Sequence, residues 1–355
     1  MQCRTWVCDA IKTIEQDFQR SADTHLLKLN IPKLKNIHLY FKDESIHPTG
    51  SLKHRLARSL FLHGICNGKI TANTTVIEAS SGSTAVSEAY FARLLNLKFI
   101  AVMPKSTSVE KIEQIKFYGG ECFMVDDHRE IYSQAESLAK KLNGHYMDQF
   151  TFAEQATDWR GNNNIADSIF EQMAKEDFPD PSWIVVGAGT GGTSATIGRY
   201  IRYLSKTTKL CVVDPENSVF FDYYKTADKT LCSEQASGIE GIGRPRVEPS
   251  FIASVIDEMI RVPNAASIAG VHFLEKLLGK KYGGSTGTNL FGMINLAHQM
   301  YKNKQQGSIV GLMCDNGDRY LQTYYNPDWL KLKGYDINQW YKVYEKFYDT
   351  LSWLK

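Results

Sequence analysis

The sequence lacks a long apolar run, a Cys-x-x-Cys pair and an excess of charge of either sign. No uninterrupted apolar stretch approaches the roughly 18 residues a helix needs to cross a bilayer. The N-terminus, MQCRTWVCDAIKTIEQD, breaks each short apolar run with a charge, which does not fit a signal peptide. The seven cysteines (Cys3, Cys8, Cys66, Cys122, Cys211, Cys232 and Cys314) are odd in number and scattered, which argues against a disulfide framework or a structural zinc site. Nine histidines show no metal-ligand spacing, so no metal site is expected. A net charge of +2, from 41 basic and 39 acidic residues, leaves no electrostatic footprint for nucleic acid or an anionic membrane. These absences together predict a soluble protein of the reducing cytoplasm.

What is present is an α/β grammar. A chain of 355 residues, 43% hydrophobic and 23% charged, is long enough for two cored lobes without disulfide staples. NIHLYFK (36–42), TTVIEAS (74–80), KFIAVMP (98–104) and ECFMVD (121–126) read as strands. The segments 51–65, 84–96, 109–119 and 129–143 between and after them read as helices. After a polar stretch at 148–164 the pattern restarts with SWIVVGA (182–188), a helix at 193–205, KLCVVDP (209–215) and a late strand SIVGLMCD (308–315). Near-continuous apolar strands alternating with helices predict mostly parallel sheets covered on both faces. We expect an N-terminal α/β lobe over 1–155, a second over 156–325 with a cleft between them, and an aromatic helical extension over 326–355. An aromatic stripe such as that in the last 30 residues is usually packing surface, against another lobe or a second subunit.

Three strand-to-helix loops can carry chemistry. Gly187, Gly189, Gly191 and Gly192 sit between SWIVV and TSATIGRYIR, where glycines let backbone approach a phosphate at a helix N-terminus. The spacing Gly187-x-Gly189-x-x-Gly192, with Asp214 after the next strand, also matches a nicotinamide fingerprint. His47-Pro48-Thr49-Gly50-Ser51-Leu52-Lys53 opens a helix that Ser51 can cap, leaving Lys53 in the first turn. The positive end of the helix dipole disfavours a cation there, which suits a neutral, nucleophilic amine; a solvated surface lysine is the bland alternative. Ser80-Ser81-Gly82-Ser83-Thr84 gathers hydroxyls around a glycine at a helix start, either as a carboxylate nest or as plain serine capping. Cys314 either lines a pocket beside Asp315 and Asn316 or is buried packing, and Asp214 is expected simply to end its strand.

In this order the loops resemble the cysteine synthase family of fold-type II pyridoxal-phosphate enzymes, over about residues 36–325. The resemblance implies a two-lobed, tryptophan synthase β-like fold, pyridoxal 5'-phosphate as cofactor and a homodimer acting on a small amino acid. It makes Lys53 the Schiff-base lysine and Gly189, Thr190, Gly191, Gly192 and Thr193 the phosphate cradle. Ser80, Ser81, Gly82 and Thr84 would bind the substrate α-carboxylate with help from Gln149, while Asn316 faces the pyridine nitrogen. Ser83 stands where the family's asparagine contacts the ring oxygen, His54 where aspartate is usual, and Asn316 where serine is common. Both serine and asparagine are neutral, so neither keeps the ring nitrogen protonated, which favours β-elimination over racemisation. The phrase Glu78-Ala79-Ser80-Ser81-Gly82-Ser83-Thr84-Ala85-Val86-Ser87 looks most like the L-cysteine desulfhydrase branch. The expected reaction is β-elimination on L-cysteine to sulfide, pyruvate and ammonia. Three alternatives stay open: β-replacement making cysteine from an activated serine and sulfide, a nicotinamide dehydrogenase, and a non-catalytic binding protein on the same fold.

Overall fold

The computed structural model describes residues 2–21, 23–161 and 164–354. Its first elements are α1 (Gln2–Ser21), β1 (His25–Leu29), β2 (Ile37–Asp43), α2 (Lys53–Cys66), β3 (Val76–Ala79), α3 (Ser83–Leu94), β4 (Phe99–Pro104) and α4 (Val109–Phe117). Next come β5 (Glu121–Val125), α5 (Ile131–Leu142), β6 (His145–Tyr146), α6 (Gln149–Ala156), α7 (Ile165–Met173), β7 (Trp183–Gly187), α8 (Gly192–Tyr203), β8 (Lys209–Pro215) and α9 (Phe220–Thr226). The chain ends with β9 (Glu258–Val262), α10 (Asn264–Leu278), α11 (Gly284–Lys302), β10 (Gly307–Met313), α12 (Pro327–Leu332) and α13 (Asn338–Thr350). It divides into two compact units, Met1–Asp23 with His47–Thr157 and Thr24–Ile46 with Asp158–Lys355.

The first unit holds an all-parallel sheet in the order β5-β4-β3-β6. Side chains alternate between its faces. Ile77, Ala79, Val102 and Val125 pack on Ala135 and Ala139 of α5. That helix places Ile131, Ala135, Leu138, Ala139 and Leu142 on one stripe and stops at Asn143, whose φ of 49° ends it in the left-handed region. Val76, Phe99, Ala101 and Met103 pack on the opposite side with Ala10, Ile14, Phe61, Ala85 and Ala89 of α1, α2 and α3. Burial on both faces is why these strands read as apolar runs. Glu78 breaks the run, on the α3 side, and is fully buried.

The second unit holds a six-stranded sheet, β1-β2-β10-β7-β8-β9, parallel except for the β1–β2 edge pair. β2 pairs along its whole length with β10, Ile37 opposite Gly307 and Asp43 opposite Met313. The expected first lobe of 1–155 therefore gives up residues 24–46 to the second unit, because their partner strand lies far away in sequence. The expected extension at 326–355 is likewise part of this unit. Its aromatic stripe packs on α10: Tyr344 is buried, stacks on Phe273 at 5.5 Å and donates its hydroxyl hydrogen to the Ala266 carbonyl at 3.0 Å. α10 and α11 approach closely, and a Cβ on Gly287 would fall 1.9 Å from the Ser267 carbonyl oxygen. Among the described residues no helix is long and apolar enough to cross a membrane.

Candidate active site

Lys53 opens α2 behind a tight turn. Gly50, at φ 70°, donates its N–H to the His47 carbonyl at 2.7 Å, a conformation glycine adopts without strain. The Ser51 hydroxyl accepts the Lys53 N–H at 3.3 Å, but the flanking residue is Leu52, already helical at φ −58° and ψ −19°. Ser51 thus meets the helix from two residues back rather than as the adjoining cap. Lys53 is half-buried in the first turn. Thr49 Oγ1 lies 2.9 Å from Ser87 Oγ of α3 and 3.2 Å from His54 Nδ1, which ties the lysine turn to the helix after the serine loop. His54 is a buried core ring, stacked on His47 at 5.1 Å and set against Phe91 at 4.8 Å.

The serine loop leaves β3 and enters α3 at Ser83. The residue before the helix is Gly82, extended at φ −114° and ψ −153°, so serine capping does not open this helix. The Gly82 N–H instead donates to Ser80 Oγ at 3.3 Å. Ser80, Ser81, Gly82 and Ser83 are half-buried, while Thr84 is buried and donates its hydroxyl hydrogen to Gln149 Oε1 at 2.7 Å. Gln149 begins α6 directly behind Asp148, a non-glycine residue held at φ 47°. Such a conformation persists only where its surroundings fix it. One unit therefore brings together the Lys53 turn, Ser80 to Thr84 and Gln149.

Two carboxyls lie beneath this loop. Glu78 Oε1 accepts the Ala79 N–H at 2.6 Å, and Oε2 accepts the Gln149 N–H at 3.1 Å. Glu88 of α3 faces it, also fully buried. Burial pushes Glu78 up to about 8 and Glu88 well above the usual carboxylate range, and the neighbouring Glu78 raises Glu88 further. The sequence carries a signal for Glu88: it falls on the stripe of Ala85, Ala89 and Ala92, all buried.

The remaining expected residues are in the second unit. Gly191 precedes α8 at φ 91°, and a Cβ there would lie 2.5 Å from Phe251 Cα. A Cβ on Gly189 would lie 2.2 Å from the Gly241 carbonyl oxygen. Buried Thr190 accepts the Gly192 N–H on Oγ1 at 3.2 Å, and Thr193 follows in the first helical turn. Side chains are excluded from this loop by backbone on its far side, which leaves N–H groups and a positive helix end to meet a phosphate. The loop fits the phosphate of pyridoxal phosphate. Asn316 Oδ1 accepts the Asp318 N–H at 2.8 Å, and its amide donates to Asp318 Oδ2 at 3.1 Å. Its neighbour Asp315 is buried and accepts the Tyr320 hydroxyl at 2.6 Å, a group the sequence alone did not single out. Cys314 is buried, with its sulfur accepting from Asn289 Nδ2 at 3.4 Å. Asp214 is buried too, and Oδ2 accepts the Phe221 N–H at 2.8 Å, so this carboxylate holds the start of α9.

Comparison with known proteins decides the cofactor. Residues 19–315 match the pyridoxal-phosphate dependent enzyme family. The chain belongs to that family. It is therefore a pyridoxal-phosphate enzyme, and the nicotinamide reading of Gly187, Gly189, Gly192 and Asp214 falls. It is 58% identical to L-cysteine desulfhydrase Cds1 of Mycobacterium tuberculosis over 94% of this chain and 92% of that one. It is 28% identical to cystathionine beta-synthase of Apis mellifera over 99% of this chain and 71% of the other. Among solved structures, O-ureido-L-serine synthase superposes with a TM-score of 0.74 at 23% identity, covering 88% of this chain and 93% of that one. The O-acetylserine dependent cystathionine beta-synthase of Helicobacter pylori gives 0.73 at 24%, covering 88% and 97%. These two share the mixed α/β, mostly parallel fold of this pyridoxal-phosphate enzyme.

Proposed function

We propose that the protein is an L-cysteine desulfhydrase, splitting L-cysteine with water into sulfide, pyruvate and ammonia. The observation that carries this reading is the likeness to L-cysteine desulfhydrase Cds1 along nearly the whole of both chains. When bound, pyridoxal phosphate supplies the electron sink for the pair left by a bond breaking at the substrate α-carbon. Gly189, Thr190, Gly191, Gly192 and Thr193 would hold its phosphate through the start of α8. Lys53 would hold it covalently at rest, and its Nζ, when free, would take the proton from the substrate Cα. The first turn of α2 favours the neutral amine that both tasks need.

Ser80, Ser81, Gly82 and Thr84 hold the substrate α-carboxylate, with Gln149 fixed beside them by its bond from Thr84. By the family resemblance, Ser83 would serve the cofactor's ring oxygen and Asn316 its ring nitrogen. Both are neutral, so neither maintains a proton on that nitrogen, and expulsion of the β-thiolate is favoured over racemisation. The Cβ–S pair leaves with sulfur. We place the enzyme in the cytoplasm as a homodimer, on the scattered cysteines and the family resemblance. Borohydride reduction of the yellow holoenzyme followed by peptide mapping tests the assignment. Label on the peptide carrying Lys53 supports it, and label on another lysine contradicts it.

A further inference from the structure

Glu78 and Glu88 are both fully buried, on facing elements, directly behind the loop and the glutamine assigned above to the substrate carboxylate. Glu78 is bonded to that machinery: it receives the N–H of Gln149, whose side chain is in turn bonded by Thr84. Glu88 has a different environment. Among the described residues neither of its oxygens meets an N–H or O–H donor, which leaves the Glu78 carboxyl as its polar neighbour. Two carboxyls can hydrogen-bond only when one of them carries a proton, and two buried like charges without a cation do not both ionise.

Among the described residues, the groups acting most strongly on the pair are acids and neutral hydroxyls. β6 contributes Tyr146, whose buried hydroxyl has no partner among the described residues and stays neutral because burial raises its proton affinity. Asp148, just before α6, is a further acid that opposes ionisation of Glu78, and α5 contributes Tyr132 beside Tyr146. β4 places Ala101 opposite Glu78. No cation figures among the groups acting most strongly on either carboxyl.

We propose that Glu78 and Glu88 are a proton-sharing positioning pair, which holds Gln149 and Thr84 for the substrate carboxylate while keeping a second negative charge out of the space behind them. The inference rests on the substrate site assigned above. An ionised pair one hydrogen bond behind Gln149 would repel the incoming anion and loosen the start of α6. Substrate binding then weakens in alkali through the protein, beyond what the titration of substrate itself causes. The Glu78→Gln variant cannot ionise and keeps an acceptor for one of the two amides. Taking the ratio of its KM to that of wild type at each pH cancels the titration of the substrate.

The test measures KM and kcat for L-cysteine with wild type, Glu78→Gln, Glu88→Gln and Gln149→Ala holoenzymes between about pH 6.5 and about pH 9.5. The expected result is a wild-type KM that climbs above that of Glu78→Gln by about five- to tenfold across the alkaline half, with kcat moving less. Infrared difference spectra, wild type minus Glu88→Gln at neutral pH, should show the C=O stretch of a buried protonated carboxyl. A KM ratio flat with pH, or no protonated carboxyl band, overturns the inference. If Gln149→Ala leaves KM unchanged at neutral pH, the assigned substrate site itself fails and the inference with it. If Gln149→Ala raises KM while the ratio stays flat, the site stands and only the role of the pair is lost.

Discussion

The helix starts at Gly191–Gly192 and at Gly82–Ser83 both follow a parallel strand, and both present the N-terminal N–H groups of a helix. They are built in opposite ways. Around Gly189 and Gly191 the loop is walled by backbone, at 2.2 Å and 2.5 Å from where a Cβ would sit. Around Gly82 nothing lies within 4 Å of that point, and the loop is instead lined by hydroxyls and tied through Thr84 to Gln149. A backbone wall has one shape and suits a phosphate that stays for many turnovers. Hydroxyls and an amide over a pair of titratable acids can adjust, which suits a carboxylate that arrives and leaves each time. Substitutions should separate the two.

The largest effect is expected at Lys53, which belongs to neither grip. Lys53→Ala should lower sulfide release by about a thousandfold or more while leaving the phosphate loop able to hold cofactor noncovalently. An unchanged rate would end the assignment. Gly189→Ala forces a methyl against the Gly241 carbonyl and should weaken cofactor binding by about a hundredfold, or ~2.7 kcal/mol, in fluorescence titration of the apoenzyme. Gln149→Ala should raise KM for L-cysteine by about tenfold with little change in cofactor affinity, since it strips one amide partner and leaves Thr84 without its acceptor.

Smaller effects follow. Glu78 binds its proton more tightly folded than unfolded, so its contribution to stability is complete below about 4.5 and is lost as pH rises through about 8. The midpoint of thermal unfolding should therefore fall by about a few degrees more between pH 6 and 8.5 in wild type than in the Glu78→Gln, Glu88→Gln double variant. Gly82→Ala should be nearly silent, within about twofold in KM and about 0.5 kcal/mol in stability, because its extended φ of −114° suits alanine and its Cβ meets open space. A large loss there would break the contrast between the two loops.

The alternation of strands and helices, and the three loops, were legible because periodicity and glycine placement are local signals. The pairing of β2 with β10 was not, since Ile37 and Gly307 carry no mark of one another. α11 was hidden by its composition. Its GSTGTN start reads as a weak helix former, and burial against α10, where Gly287 meets Ser267, is what holds it. Glu78 and Glu88 were passed over because a charged residue in an apolar run looks like solvent exposure until both ends are seen to be buried. Asn316 was legible as a position, but its bonds to Asp318 and the burial of Asp315 beside it depend on a turn that residue types alone do not specify.

The central claim is tested most directly by giving the cofactor-loaded protein L-cysteine alone and quantifying sulfide and pyruvate together. The account predicts release of both in equal amounts. Little pyruvate, with sulfide consumed once an activated serine is supplied, would contradict it and make the same site a cysteine synthase.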